Sequence, residues 1–232
     1  MIRSRGPLLT LILLLAAVPA RGETLVFDLS LGALRIGTLK LARQSSADGY
    51  AARLTLRSTG LADLAGAVRF DARAEGGPGP QPRLYEESAD TGRRRSQVRI
   101  DWTDGRPQVT LYAAEPAETV PPATETAGAL DPVSALVAAL AETAPQEACG
   151  LALRVFDGQR MAQVSLTRRQ DSSGGLICTG EFTRLQGYRA QDLAERDRFP
   201  LRLDYTALPS GRMAVTGAEV QTIYGKVRLK RR

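Results

Sequence analysis

The stretch Val98-Arg99-Ile100-Asp101-Trp102 alternates apolar and charged side chains, and the turn dipeptide Asp104-Gly105 follows it. Such alternation places the apolar side chains on one face of a β-strand and the charged ones on the other. Asp-Gly after an alternating run is a strong hairpin signal, because glycine tolerates a positive φ. The stretch therefore predicts antiparallel sheet with one buried face and one face in water.

The same pattern recurs along most of the chain. Further alternating runs occupy residues 25–31, 52–57, 151–155, 201–205 and 226–230, with turn signals at 48–49, 157–158, 173–175 and 209–211. The apolar phase shifts by one residue between Ile36 and Leu39, which predicts a β-bulge beside Gly37. We therefore expect residues 23–232 to form a single, mainly β domain, and we interpret most arginines as its solvated face.

One stretch departs from the strand pattern and predicts a helix over residues 131–143. Asp131 suits the N-cap and Pro132 the first helical position. The apolar residues Val133, Leu136, Val137 and Leu140 then form one stripe that must pack on the sheet. Residues 115–129, which precede the helix, are rich in proline and threonine and predict a long, flexible loop.

Residues 1–22 have the three parts of a cleavable signal peptide. Arg3 and Arg5 precede an apolar run over residues 8–18, and the small residues Ala20 and Gly22 follow it. The run is too short for a bilayer span, which needs about 20 apolar residues. We predict cleavage after Gly22, with cleavage after Ala20 or an uncleaved anchor as alternatives. The mature protein is expected in the periplasm, without a membrane-spanning segment.

The charge of the mature chain is too small to indicate nucleic-acid binding. The whole chain carries 31 basic and 25 acidic residues, and removing the three arginines of residues 1–22 lowers its formal net charge from +6 to +3. Two cysteines, Cys149 and Cys178, remain in the mature part. In an oxidising compartment an even number of cysteines indicates a disulfide. Two buried thiols, or a bridge to a partner, are the alternatives.

The chain contains no histidine, which excludes Ser-His-Asp and Cys-His hydrolysis and histidine-based metal sites. Neighbouring residues of a strand point to opposite faces, so Glu86 and Glu87 are not expected to converge on one glycosidic bond. The dense basic run at 93–95 suits a solvated turn better than a polyanion contact. We therefore predict a protein that is not an enzyme, with no catalytic, cofactor-binding or metal-ligating residue and no cofactor.

Several short motifs resemble the exported family of domain of unknown function 3108. They are LGALRIG at 31–37, STGLADL at 58–64, VRFD at 68–71, DPVSAL at 131–136, VFDG at 155–158, FPLRL at 199–203 and YGKV at 224–227. Members of this subtype are similar in placing one cysteine before the VFDG strand and one about a strand pair later, as Cys149 and Cys178 are here. The resemblance implies a curved antiparallel sheet or half-open β-barrel with one short helix, similar to periplasmic lipoprotein carriers. It implies no catalytic residues.

Two hypotheses for function follow. In the first, a non-catalytic protein of the cell envelope holds a lipid or another apolar or amphipathic ligand on the concave face of the sheet. The alternative to such a pocket is a face filled by the protein's own side chains. In the second hypothesis, the domain is a structural or interaction module that contacts an envelope protein through a sheet edge or its Arg-rich face.

Overall fold

The structure is a computed structural model that describes residues 21–60, 67–91, 95–113, 121 and 123–232. The predicted signal peptide lies outside the described residues except for Arg21 and Gly22, which belong to the first strand. The strands are β1 (Arg21–Leu31), β2 (Leu34–Ser46), β3 (Gly49–Ser58), β4 (Arg69–Gly76), β5 (Pro82–Asp90), β6 (Arg95–Thr103), β7 (Arg106–Ala113), β8 (Ala152–Phe156), β9 (Met161–Ser172), β10 (Gly175–Gln186), β11 (Arg198–Ala207), β12 (Met213–Thr222) and β13 (Gly225–Arg231). The helices are α1 (Ala123–Thr126), α2 (Pro132–Ala139) and α3 (Ala190–Glu195).

All thirteen strands belong to one antiparallel sheet in the order β7-β6-β5-β4-β3-β2-β1-β13-β12-β11-β10-β9-β8. The order consists of two meanders, β1–β7 and β8–β13, which are joined where β1 pairs with β13. The predicted mainly β, antiparallel fold is therefore confirmed. The register of β1 and β2 skips Ile36, so the predicted bulge beside Gly37 is also present.

The sheet is not closed, but its two edges approach each other. A Cβ built on Gly158, in the β8–β9 turn, would lie 2.7 Å from Val98 Cγ1, so this turn packs against β6. The segment between α1 and α2 spans the remaining gap. On one side the Gly128 amide donates to the carbonyl of Gly105, and on the other the Leu130 amide donates to the Arg154 carbonyl, both at 2.9 Å. The fold is thus a half-open barrel.

The inner face of the sheet forms the core. Buried apolar side chains from β1–β6 and β8–β12 make one cluster, which includes Leu25, Leu41, Tyr85, Ile100, Leu166 and Val215. Helix α2 packs against β3, β4 and β8, and its Val133 is fully buried in the same cluster. Among the described residues, side chains of the sheet and of α2 therefore fill the concave face.

Three elements differ from the sequence-based expectation. Helix α2 ends at Ala139 rather than 143, because Thr143 instead forms a β-bridge with Met213. Part of the predicted loop at 115–129 is ordered: residues 123–126 form α1, and Thr126 and Ala129 are buried. Residues 115–120 and 122 of that loop lie outside the described residues. With α1 and α3, the described chain has three short helices instead of one.

Candidate binding cleft at one end of the barrel

A cleft of about 960 Å³ opens at the end of the barrel where β1 begins. It lies between the β2–β3 turn, the β4–β5 loop and the C-terminal half of α2. Its apolar lining comprises Tyr50, Pro80, Val137, Ala138 and Ala141, and its charged lining comprises Glu23, Arg43, Glu142 and Arg212. The volume falls at the upper end of the usual range for small-molecule sites, about 300–1,000 Å³.

The N-terminus of α2 is fixed to the sheet by a buried chain of polar groups. The amides of Val133 and Ser134 each donate to Asp131 Oδ1 at 2.8 Å, as an N-cap requires. The Ser134 hydroxyl donates to the other carboxylate oxygen of Asp131, and Tyr50 OH lies 2.5 Å from Ser134 Oγ. Because Tyr50 belongs to β3 and lines the cleft, this chain of groups sets the position of the helix relative to the cleft.

Burial changes the acidity of these groups. Desolvation raises the pKa of Asp131 to about 6, although hydrogen bonds from Ser134 and the backbone oppose the rise. Burial likewise raises the pKa of Tyr50 to about 12, so its hydroxyl stays protonated at neutral pH. The Tyr50–Ser134–Asp131 chain therefore fits a structural role, since its hydroxyls and carboxylate are occupied with one another inside the protein.

An arginine holds the other half of α2. Arg43 Nη1 donates to the carbonyl of Val137 at 3.3 Å, while its Nε donates to Glu23 Oε2 at 3.0 Å. Arg231 Nη2 also donates to Glu23, at 3.2 Å, so this carboxylate lies between two guanidinium groups. Glu23 and Arg43, which line the cleft, thus belong to an ion-paired network that also includes Arg231 of β13.

The rim of the cleft is formed where the chain leaves α2. Thr143 and Met213 exchange two backbone hydrogen bonds of 3.1 and 2.8 Å, and the Arg212 guanidinium donates to the Glu142 carbonyl. Arg212 Nε lies 3.8 Å from Glu142 Oε2, and both side chains are about half exposed. The cleft therefore combines an apolar wall with a charged rim on which one positive and one negative side chain balance each other, an arrangement that suits an amphipathic molecule.

The two adjacent acids of β5 point to opposite faces, as predicted. Glu86 lies on the outer face between Arg73 and Arg99, and the hydrogen bond from Arg73 lowers its pKa. Glu87 lies on the inner face, where it accepts hydrogen bonds from Tyr85 OH at 2.5 Å and Ser96 Oγ at 3.0 Å, and burial raises its pKa. The pair does not converge on a common substrate position.

The other charged side chains of β5 and β6 also form separate ion pairs and do not gather at one site. Asp101 pairs with Arg99 at 2.9 Å, and Arg95 pairs with Asp90 at 3.0 Å. Residues 93 and 94 of the basic run lie outside the described residues. Across the described ranges, no three His, Cys, Asp or Glu side chains meet in a way that could hold a metal ion. The described helices include none that is long and apolar enough to cross a membrane.

Cys149 and Cys178 lie at disulfide-bonding distance, with their Cα atoms 5.2 Å apart. Cys178 is a fully buried residue of β10, whereas Cys149 precedes β8 in the connection from α2. Because Cys149 lies outside the sheet, it reaches β10 although β9 separates β8 from β10. A bridge here ties the connection that carries α2 to the second meander.

Sequence reasoning did not identify the cleft. Its lining comes from positions 22–50, 77–80, 137–142 and 212, and no motif joins these stretches. The one local signal was the capping pattern at Asp131, which places the start of the helix but not the opening at its other end. Of the two possibilities for the concave face, a ligand site or a face filled by the protein's own side chains, the buried cluster of the described residues fits the second.

The open antiparallel sheet coiled around a helix defines a β-barrel-like domain with a cleft at one end. The chain belongs to the family described as "Protein of unknown function (DUF3108)", whose sequence profile matches residues 26–173. The structure is similar to a crystal structure titled as a beta-barrel-like protein of domain of unknown function DUF1849 from Brucella abortus. That similarity has 11% sequence identity and a TM-score of 0.45, covering 94% of this chain and 98% of the other. No curated protein matches the chain.

Proposed function

We propose that this protein is a non-catalytic, periplasmic component of the cell envelope that binds an amphipathic ligand in the cleft at the end of the barrel. The observation that carries the proposal is the 960 Å³ cleft itself, which combines an apolar wall with a charged rim. The apolar part of the ligand lies against Val137, Ala138 and Ala141. Its polar part lies beside Arg212 and Glu142, which remain half exposed and so can exchange water for ligand atoms.

The periplasmic location is supported by two independent features. Residues 1–22 carry the signal-peptide pattern, and Cys149 and Cys178 lie at bonding distance, as expected of a protein in an oxidising compartment. A non-catalytic role is supported by the lack of histidine in the chain. It is also supported by Glu86 and Asp101, two acids on the outer face that are each paired with an arginine.

The experiment is to measure binding of 11-(dansylamino)undecanoic acid, a fluorescent amphiphile, to protein purified from the periplasm. We expect saturable binding in the native protein and loss of at least about tenfold in affinity in Ala138→Trp, because an indole would fill the cleft. Ala141→Trp gives a second, independent test of the same wall. Ala152→Trp is the matched control, since Ala152 is exposed on β8 and does not line the cleft.

Native mass spectrometry of the same preparation looks for a co-purified amphiphile. The melting temperature of each tryptophan variant is measured first, so that a loss of binding is interpreted only for a folded protein. Failure of the native protein to bind the probe, together with no co-purified amphiphile, would reject the proposal. Equal loss of binding in Ala152→Trp would show that the probe binds elsewhere.

A further inference from the structure

A second concave region, separate from the cleft, lies on the outer face of β9–β13. This outer groove has a volume of about 650 Å³. Its lining is polar or charged apart from Gly180, Pro200 and Leu201, and includes the hydroxyl groups of Ser165, Thr167 and Thr179. Three cations, Arg168, Arg202 and Lys226, contribute to the lining, against two carboxylates, Glu181 and Glu219.

The register of the sheet arranges charges of the groove in a row, which Arg228 of β13 continues beyond the groove lining. Arg168 is opposite Thr179, Thr179 is opposite Arg202, Arg202 is opposite Glu219, and Glu219 is opposite Arg228. The three arginines therefore recur on every second strand. With neighbouring strands about 4.8 Å apart, successive arginines of the row are about 9.5 Å apart. The row spans five strands, so it suits an extended ligand rather than a single small anion.

A β-bulge gives Arg168 its direction. The pairing of β9 with β10 shifts between Thr179 and Gly180, so that Thr167 is the extra residue of β9. Leu166, just before the bulge, is buried in the core, while Thr167 and Arg168 are both exposed. The bulge thus presents a hydroxyl and a guanidinium side by side on the outer face, as an extra residue re-aims the side chains that follow it.

Arg168 differs from Arg202 and Arg228, the other arginines of the row, in lacking an acidic partner. Arg202 pairs with Asp204 at 2.7 Å, and Glu219 is shared by Lys226 at 2.7 Å and Arg228 at 3.0 Å. No described carboxylate lies within ion-pairing distance of Arg168. The guanidinium is therefore free to bind an anion without first breaking an internal ion pair.

A neighbouring groove provides the internal comparison. On the outer face of β3–β6, a region of about 390 Å³ is lined by Arg53, Arg73 and Arg99. There Arg53 lies 3.7 Å from Asp71, and Arg73 and Arg99 both contact Glu86. Those three arginines are each matched by an acid, whereas Arg168 of the outer groove is not, so the two grooves differ in their spare positive charge.

We propose that the outer groove binds an anionic oligosaccharide. Guanidinium groups bind carboxylates through paired, charge-assisted hydrogen bonds, and threonine and serine hydroxyls can both donate to and accept from sugar hydroxyls. A single-stranded nucleic acid fits less well, because its binding sites use aromatic side chains as stacking platforms and no aromatic residue lines the groove. This inference does not rest on the ligand proposed for the cleft.

Isothermal titration calorimetry of the mature protein tests the inference, with hexagalacturonate as the probe and maltohexaose as an uncharged probe of equal length. We expect hexagalacturonate to bind at low salt and to weaken as salt rises, and maltohexaose not to bind. Arg168→Gln should weaken binding of hexagalacturonate about tenfold or more, the usual effect of losing a hydrogen bond to a charged group. Arg53→Gln, an exposed arginine of the ion-paired groove, is the matched control and should change the affinity less than about twofold.

Several results would overturn the inference. One is the absence of hexagalacturonate binding at low salt, and another is a loss of affinity in Arg53→Gln equal to that in Arg168→Gln. Equally tight binding of inorganic polyphosphate or of a single-stranded DNA oligonucleotide would show attraction of any polyanion, not recognition of an acidic sugar. Ala138→Trp, which fills the cleft, should leave hexagalacturonate binding unchanged, so the two proposed sites can fail independently.

Discussion

Removing the bridge between Cys149 and Cys178 is expected to destabilise the protein substantially. The two residues are 29 positions apart, so the bridge closes a loop of about that length in the unfolded chain. The chain-entropy relation gives a loss of about 12 cal/mol/K for such a loop, or about 3.6 kcal/mol at 25 °C. For a domain of this size, each kcal/mol shifts the melting temperature by about 2–4 °C. Cys178→Ala should therefore melt about 7–14 °C below the native protein.

The assay is thermal unfolding followed by circular dichroism, with and without reductant, after differential alkylation has counted the free thiols. Cys178 is fully buried, so part of the loss in Cys178→Ala comes from the missing sulfur and not from the missing bridge. Reduced native protein isolates the contribution of the bridge, because it keeps both sulfur atoms. Free thiols in freshly purified native protein would refute the reasoning, as would a melting temperature that reductant does not change.

Three other experiments test the contact between the β8–β9 turn and β6, the helix cap and the signal-peptide cleavage site. Gly158→Ala should destabilise the protein by about 1–3 kcal/mol more than Gly105→Ala, because both glycines have a positive φ but only the new methyl group at 158 would clash with Val98. Equal losses of stability in the two variants would contradict the packing of the β8–β9 turn against β6. Burial raises the pKa of Asp131 to about 6, above its ordinary 3.8, so its protonation favours the folded state. The free energy of unfolding of the native protein, measured relative to Asp131→Asn, should therefore rise as the pH falls from about 6.5 to about 4, and a difference that does not change with pH would contradict this. Intact-mass analysis of periplasmic protein should find Glu23 as the first residue, because Ala20 and Gly22 suit the −3 and −1 positions of a cleavage site. Arg21 as the first residue would support the alternative site after Ala20, and a chain that keeps residues 1–20 would contradict cleavage.

Strand positions could be predicted because burial on one face leaves a period of two in the sequence. Leu25, Phe27 and Leu29 share one parity and are all buried, and the phase shift beside Gly37 marks a real bulge. The start of α2 could also be predicted, since the capping interaction of Asp131 is local. The end of α2 could not, because it is decided by the pairing of Thr143 with Met213, seventy residues further along the chain.

The candidate sites depend on register, which side-chain periodicity does not fix. Arg168 and Arg169 look equivalent in the sequence, but the bulge directs Arg168 outward, while Arg169 donates to the carbonyl of Pro145 in the connection after α2. The cleft similarly requires Arg43 and Val137 to meet across 94 positions. Such contacts arise from the order of strands in the sheet, and the sequence alone predicted strands without their order.

The length of α2 explains why the cleft lies at one end of the barrel. Between the β7 and β8 edges of the sheet, α2 lies on the inner face, where it packs against β3, β4 and β8. Asp131 and Tyr50 fix the N-terminal end of the helix, so its other end is set by the number of residues it contains. A helix reaching residue 143, as the apolar stripe predicts, would extend about 6 Å further and enter the space beside Arg212. Because the helix stops at Ala139 and the chain turns to pair with Met213, that space stays open as the cleft.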